Sequence, residues 1–166
     1  MSKIRTLLVG AGVMGSYHAR VISQSNQTEL FGVVDLYEPI GRALAERFST
    51  KWFPELPDLS EIEAVVIAAP TESHFDIAKH VLSENVPLLV EKPLTDSFDT
   101  TKELIEISRS TDTPIMCGFL ERFNPAILTA RNLIQEPIHI STTRHSPLSR
   151  GQRAKVSSVI RETLFG

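Results

Sequence analysis

Three glycines and an acid carry the first chemical signal. In "LLVGAGVMGSYHA", Gly10, Gly12 and Gly15 hold the G-x-G-x-x-G spacing, after an apolar run and at the opening of a helical one. The first glycine permits a tight turn, the second lets a pyrophosphate approach the backbone, and the third lets helix pack close to strand. Free amides at the helix N-terminus favour the anion. Gly10, Ala11, Gly12, Val13, Met14 and Gly15 therefore form a candidate dinucleotide cradle. Alone the spacing is weak, because glycines also serve turns and close packing. Asp35 strengthens it: it ends the second apolar run twenty positions after Gly15 (35 − 15), where an acid can accept hydrogen bonds from the adenosine ribose. Its competing reading is a turn or helix-capping residue before "LYEP". An acid here repels a 2′-phosphate, which favours NAD over NADP. Arg42 could accept that phosphate, or could be a solvated helix charge. A methyltransferase also uses a glycine-rich loop and such an acid, so S-adenosylmethionine is a rival ligand.

A second cluster lies in "LLVEKPLT", where an apolar run ends in Glu91, Lys92 and Pro93. Sheet interiors exclude proline, so the run must end there. The carboxyl ends of strands are where ligands sit in open α/β sheets.

The elements that must position these residues alternate. "IRTLLVG", "LFGVVD", "KWF", "AVVIAA", "PLLV" and "PIMCGF" are strand-like. "VMGSYHARVIS", with Met14, Tyr17, Val21 and Ile22 at helical spacing, is helix-like. So are "EPIGRALAERF", with Ile40, Leu44 and Phe48, "SHFDIAKHVLSE" and "SFDTTKELIEISRS". Apolar strands without polar alternation are buried on both faces, and strands alternating with helices imply parallel βαβ units. Right-handed crossovers should place helices on both faces of the sheet. The fold class is α/β, a doubly wound parallel-sheet domain followed by the beginning of a second, α+β domain. The expected boundaries are 1–121 and 122–166. In the second part "ERFNPAILTARNLIQE" is helix-like with Pro125 in its first turn, "PIHISTTRHS" alternates like a strand, and "PLSRGQRAKVSS" has loop composition.

The chain of 166 residues allows one domain with a real core and is short for two. Its 42% hydrophobic and 22% charged content is ordinary for a soluble globular protein. A net charge of −3 gives no reason to expect nucleic acid or an anionic membrane as partner. The single cysteine, Cys117, cannot form an internal disulfide. The opening residues superficially resemble a signal peptide, but three glycines and no small-residue cleavage site favour a strand and turn. No apolar run approaches the ~20 residues of a membrane span. A cytoplasmic protein without a metal site is expected.

"GAGVMG", "AAPTESH", "EKPL" and "GFLERFNPA" occur in this order and at suitable intervals. Together they resemble the glucose–fructose oxidoreductase / inositol dehydrogenase / MocA (Gfo/Idh/MocA) family of NAD(P)-dependent sugar and cyclitol oxidoreductases, over nearly the whole chain. "EKP" is the most specific element, and a methyltransferase has no use for it. The resemblance implies a Rossmann domain, with a C-terminal domain on a large open sheet. It makes Lys92 the catalytic lysine beside the nicotinamide ribose and the substrate, and Lys92–Pro93 a cis peptide. A partly desolvated ammonium there can polarise a carbonyl or alkoxide. Glu91 would orient Lys92 or bind ribose; the bland alternative is a surface ion pair at a turn. Ala69, Pro70 and Thr71 fall in the turn beneath the cofactor, although Thr71 also fits a helix N-cap. His74 falls at the family's histidine and is read as a structural hydrogen-bonder. Arg122 and Asn124 match the segment lining the nicotinamide pocket, or serve as a helix-start cation and cap.

The family's second-domain motif places an acid a few residues before a histidine. In "VSSVIRETLFG" one register puts Arg161 and Phe165 at those positions, and the other puts Glu162 and Gly166 there; neither supplies the histidine. The resemblance thus implies a shortened chain or a natural cofactor-binding remnant. Arg144, Arg150, Arg153, Lys155 and Arg161 form a basic stretch that could face a nucleotide-sugar's phosphates or simply be solvated. The unpaired edges of "PIHISTTRHS" point to a homodimer. The expected function is hydride transfer between nicotinamide and a hydroxyl carbon of a sugar, nucleotide-sugar or cyclitol. The alternative is a non-catalytic NAD-binding module. The chain by itself is expected to bind cofactor with little or no turnover.

Overall fold

A computed structural model describes residues 2–134. Six short runs rich in Val, Ile and Leu become strands: β1 (Ile4–Val9), β2 (Thr28–Val34), β3 (Lys51–Phe53), β4 (Ala64–Ile67), β5 (Leu88–Val90) and β6 (Ile115–Cys117). Every pair is parallel, and the order across the sheet is β3-β2-β1-β4-β5-β6. The helices between them are α1 (Val13–Gln24), α2 (Glu38–Arg47), α3 (His74–Ser83) and α4 (Phe98–Ser110). This is the doubly wound arrangement that the alternating pattern requires.

Two apolar clusters lie on the two faces of the sheet. Leu8, Leu30, Val33 and Val66 pack with Ala19 and Ile22 of α1 and Leu44 and Ala45 of α2. Leu7, Val9, Val65, Ile67, Leu88 and Val90 pack with Ala78, Val81 and Leu82 of α3 and Leu104 of α4. Neighbouring residues of β1 and β4 thus feed opposite clusters, as period-2 alternation demands. Between Thr6 and Leu7 the β1–β2 register slips by one, because Thr6 faces Leu30 while Leu7 faces Gly32. The extra residue is Phe31. The Thr50 hydroxyl lies 2.8 Å from the carbonyls of both Leu30 and Phe31, which steadies the bulge.

The face of α1 differs from the expectation. Tyr17 and Val21 are exposed, and the buried residues are Gly15, Ala19 and Ile22. Small side chains let this helix lie close to the sheet, and the larger ones are left outward. Ile40 of α2 is likewise exposed, while Leu44 is buried. Helices α2, α3 and α4 end alike, on the non-glycine residues Ser49, Asn85 and Asp112 with φ of 54°, 57° and 50°. The amide after each bonds back into its helix: Thr50 to Ala45, Val86 to Val81 and Thr113 to Ser108. That is the Schellman closure. It stops each helix where a strand must begin.

After β6 the expected continuous helix is broken. Leu120–Phe123 forms a 3-10 turn, and α5 (Pro125–Leu133) follows. Proline disfavours helical backbone at the residue before it, and Asn124 is extended with ψ 121°. The chain divides into two units, Met1–Asn124 and Pro125–Gly166. The strand in "PIHISTTRHS", the basic stretch and "VSSVIRETLFG" lie outside the described residues.

Candidate dinucleotide and lysine site

Because all six strands are parallel, their carboxyl ends share one edge of the sheet. The residues singled out from the sequence follow those ends: Gly10 after β1, Asp35 after β2, Ala69–Thr71 after β4, Glu91–Pro93 after β5, and Arg122 and Asn124 in the turn after β6.

Gly10 has φ +100°, and a Cβ there would stand 2.5 Å from the Ala68 carbonyl oxygen. Its amide donates to Val34 O at 2.8 Å. A Cβ on Gly15 would overlap the Gly10 carbonyl. Gly10 lets the turn pass close to the backbone at the end of β4, and Gly15 lets the helix close on the turn. Gly12 is different: a Cβ there would meet nothing within 4 Å. It faces open space at the start of α1, where the backbone is accessible to a ligand. The first turn of α1 has no side-chain cap and no acid, so the amides of Val13, Met14 and Gly15 keep their donors and the positive end of the helix is uncompensated. A pyrophosphate fits such a cradle.

The Asp35 carboxylate is shared between two backbone amides. Oδ2 accepts from Ala11 N at 2.7 Å and Oδ1 from Tyr37 N at 2.8 Å. The turn-residue reading therefore describes part of what it does, while α2 receives no side-chain cap bond. Each oxygen retains a lone pair for a ribose hydroxyl. Trp52 Nε1 donates to the Asp35 carbonyl at 3.0 Å, and Gly41 leaves room for the indole, since a Cβ there would collide with it. Arg42 is neither a bare surface charge nor directed at Asp35. Its guanidinium lies 4.5 Å from the Trp52 ring centroid and pairs with Glu38.

At the end of β4, Pro70 and Thr71 lead into a 3-10 turn, Thr71–Ser73, that runs into α3. Thr71 caps neither helix, for no side-chain cap bond is made at either start. His74 is only 1% exposed. Its Nδ1 lies 2.9 Å from Pro93 O and its Nε2 2.9 Å from Ala69 O. Whatever it gives the site, it gives by tying the segment after β4 to the segment after β5.

The Lys92–Pro93 bond is cis, as the resemblance implies. Glu91 is 5% exposed, which removes the surface ion-pair alternative. Its Oε1 meets His18 Nε2 at 2.8 Å, and its Oε2 accepts from Lys92 N at 3.3 Å. The Lys92 side chain is exposed. Gly118 packs against Glu91, and a Cβ there would lie 3.2 Å from Oε2. Next to it, burial pushes the Cys117 thiol up; the Glu91 carboxylate adds to this, while the Gly118 amide and Arg122 act the other way. Arg122 lies over the Phe119 ring at 5.3 Å, and Asn124 Nδ2 donates to Glu121 Oε2 at 2.8 Å. No group of three or more His, Cys, Asp or Glu residues that could hold a metal occurs among the described residues, and none of their helices is long and apolar enough to cross a membrane.

His18 was not among the residues singled out from sequence. The signal is its place beside the buried face of Gly15, Ala19 and Ile22, where a polar ring needs a buried partner. Trp52 gives no signal in sequence beyond its place in a short strand.

Comparison with known proteins agrees with this fold. A family model described as "Oxidoreductase family, NAD-binding Rossmann fold" (Gfo/Idh/MocA) matches residues 4–119. UDP-N-acetylglucosamine 3-dehydrogenase of Acidithiobacillus ferrooxidans is 29% identical over 149 residues, covering 89% of this chain and 47% of that protein. The scyllo-inositol 2-dehydrogenase (NAD(+)) of Bacillus subtilis is 31% identical over 138 residues, covering 80% of this chain and 40% of that protein. The crystal structure of GenD2 from gentamicin A biosynthesis, in complex with NAD, superposes with a TM-score of 0.77 at 29% identity, covering 80% of this chain and 39% of that one. The chain thus spans less than half the length of each.

Proposed function

The chain belongs to the Gfo/Idh/MocA oxidoreductase family, with its NAD-binding Rossmann fold, and from that membership we propose that residues 1–121 bind NAD and set Lys92 beside the nicotinamide. One observation carries the reading: the open Gly12 cradle, the Asp35 carboxylate and the exposed lysine of "EKP" all stand along the same sheet edge. Bound NAD supplies the hydride acceptor or donor. The chain supplies amides for the pyrophosphate at Gly12, Val13, Met14 and Gly15, and a carboxylate for the adenosine ribose at Asp35, which the Ala11 amide holds in place. The backbone at Ala69, Pro70 and Thr71 lies below the nicotinamide side, and Arg122 and Asn124 border it. Glu91 and His74 hold the lysine segment from beneath. Lys92 polarises the carbinol or carbonyl oxygen of a sugar, nucleotide-sugar or cyclitol substrate.

NAD is preferred to NADP because the negative Asp35 opposes a 2′-phosphate, and because Arg42 is engaged with Glu38 and Trp52. The same part of the chain forms the proposed cofactor domain, and 122–166 begin a substrate and oligomerisation domain. The division at Asn124 supports that boundary. A homodimer through the C-terminal segment and a cytoplasmic location, where the dinucleotide is at hand, complete the reading. The alternative is a cofactor-binding module without turnover of its own.

Calorimetric titration with NAD, NADP and S-adenosylmethionine tests the cofactor. NAD should bind most tightly, NADP more weakly, and S-adenosylmethionine not at all. Binding of S-adenosylmethionine without NAD would overturn the reading. Assay over a panel of sugars, nucleotide-sugars and cyclitols separates dehydrogenase from module.

A further inference from the structure

We propose that His18 is a positioning residue for Lys92, acting through the buried carboxylate of Glu91. The inference rests on the reading of Lys92 as the reactive lysine. His18 lies on α1, whose first turn forms the glycine cradle. Its Nε2 is 2.8 Å from Glu91 Oε1, and Glu91 Oε2 accepts from the Lys92 amide at 3.3 Å. Glu91 is therefore gripped at both oxygens, one by the cofactor-loop helix and the other by the residue it orients. The His18 and Glu91 side chains are 16% and 7% exposed, so water competes poorly for their bond. Gly118 forms the wall on the other side and leaves the carboxylate just enough room. The Lys92 side chain itself is exposed, so its placement depends on its backbone, and that is what Glu91 holds.

To donate to a carboxylate, Nε2 must carry its proton. It does so in the imidazolium and in one neutral tautomer. The acceptor is a carboxylate, so the bond is charge-assisted whichever form the ring takes, and about twice as strong as one between neutral partners. Removing the donor therefore frees Oε1 and lets the carboxylate turn away from the Lys92 amide. Cys117, at the end of β6, also interacts with Glu91, and with Arg122 in the turn beyond.

The test uses the full chain with 15N-labelled lysine and follows the Lys92 amide cross-peak at one fixed, near-neutral pH. Loss of the peak in Lys92→Arg assigns it. His18→Gln keeps a donor to Glu91, so its peak should stay near the wild-type position. His18→Leu removes the donor and should displace the peak, while Cys117→Ser should leave it in place. A Lys92 peak that stays at the wild-type position in His18→Leu, or that is displaced as far in His18→Gln as in His18→Leu, overturns the proposal. If His18→Leu does not fold, His18→Ala is read in its place. NAD titration of the wild type is read separately. Failure to bind NAD with the displacement in His18→Leu and its rescue in His18→Gln intact would remove the cofactor reading alone; NAD binding without them would remove this proposal alone.

Discussion

Asp35 and Ala11 are joined by a 2.7 Å hydrogen bond from the Ala11 amide to Oδ2, which ties the end of β2 to the glycine turn after β1. The acid thus holds the cradle as well as offering the carboxylate proposed for the ribose. Asp35→Ala should weaken NAD binding by roughly ten-fold or more, since hydrogen bonds to a charged group are worth about 1.5–3 kcal/mol. NADP affinity should fall less, because the repulsion of its 2′-phosphate goes too. Unchanged affinities for both by calorimetry would remove Asp35 from the site.

Gly12 and Gly15 should separate binding from folding. Gly12→Ala meets nothing in the protein, so its thermal midpoint should stay near that of the wild type while NAD affinity drops. Gly15→Ala drives a Cβ into the Gly10 carbonyl, and overpacking of this kind costs about 1–3 kcal/mol. Its midpoint should fall by several degrees even without ligand. Equal destabilisation of the two variants in thermal melts contradicts the assignment.

His74→Leu removes the ring that joins the Ala69 and Pro93 carbonyls. A neutral imidazole has one N–H and donates to only one of the two, so at about 1 kcal/mol for a net hydrogen bond urea unfolding should show a loss of about 1 kcal/mol. A loss below about 0.5 kcal/mol in urea would mean that the imidazole is not holding these segments.

The Cys117 thiol, raised by burial, should react with iodoacetamide more slowly than in the urea-unfolded chain at the same pH, because the thiolate is the nucleophile. For stability the sign follows from the raised value. The contribution is present below the unfolded pKa and is lost as pH rises through the folded one. Alkylation as fast in the folded chain as in the unfolded one contradicts this.

The strands were legible because a buried parallel strand is a plain apolar run, as in "AVVI" and "LLV". The glycine turn, Asp35 and "EKP" were legible because each is local in sequence. The buried face of α1 was not. Hydrophobic spacing gives weight to large residues such as Tyr17 and Val21, whereas close packing selected Gly15 and Ala19. His18 escaped for a different reason: its partner Glu91 lies 73 positions away, and no periodicity encodes that pairing. The helix stops at Ser49, Asn85 and Asp112 escaped because none is the glycine or proline that usually marks them.

The sheet order β3-β2-β1-β4-β5-β6 places a seam between β1 and β4, with the first half of the domain on one side and the second on the other. The Asp35–Ala11 bond stays within the first half, and His74–Pro93 within the second. Arg5–Glu63 crosses the seam at the amino ends of the strands, and His18–Glu91 crosses it at the carboxyl ends. A chain cut between Phe53 and Ala64, sparing Glu63 on the second piece, would leave two fragments with these inner ties intact. They would be rejoined by the β1–β4 ladder and by one staple at each end. In such a complementation the cofactor cradle and the lysine arrive on different pieces, so recovery of NAD binding alone and recovery of the His18–Glu91 bond would report two separate steps of reassembly.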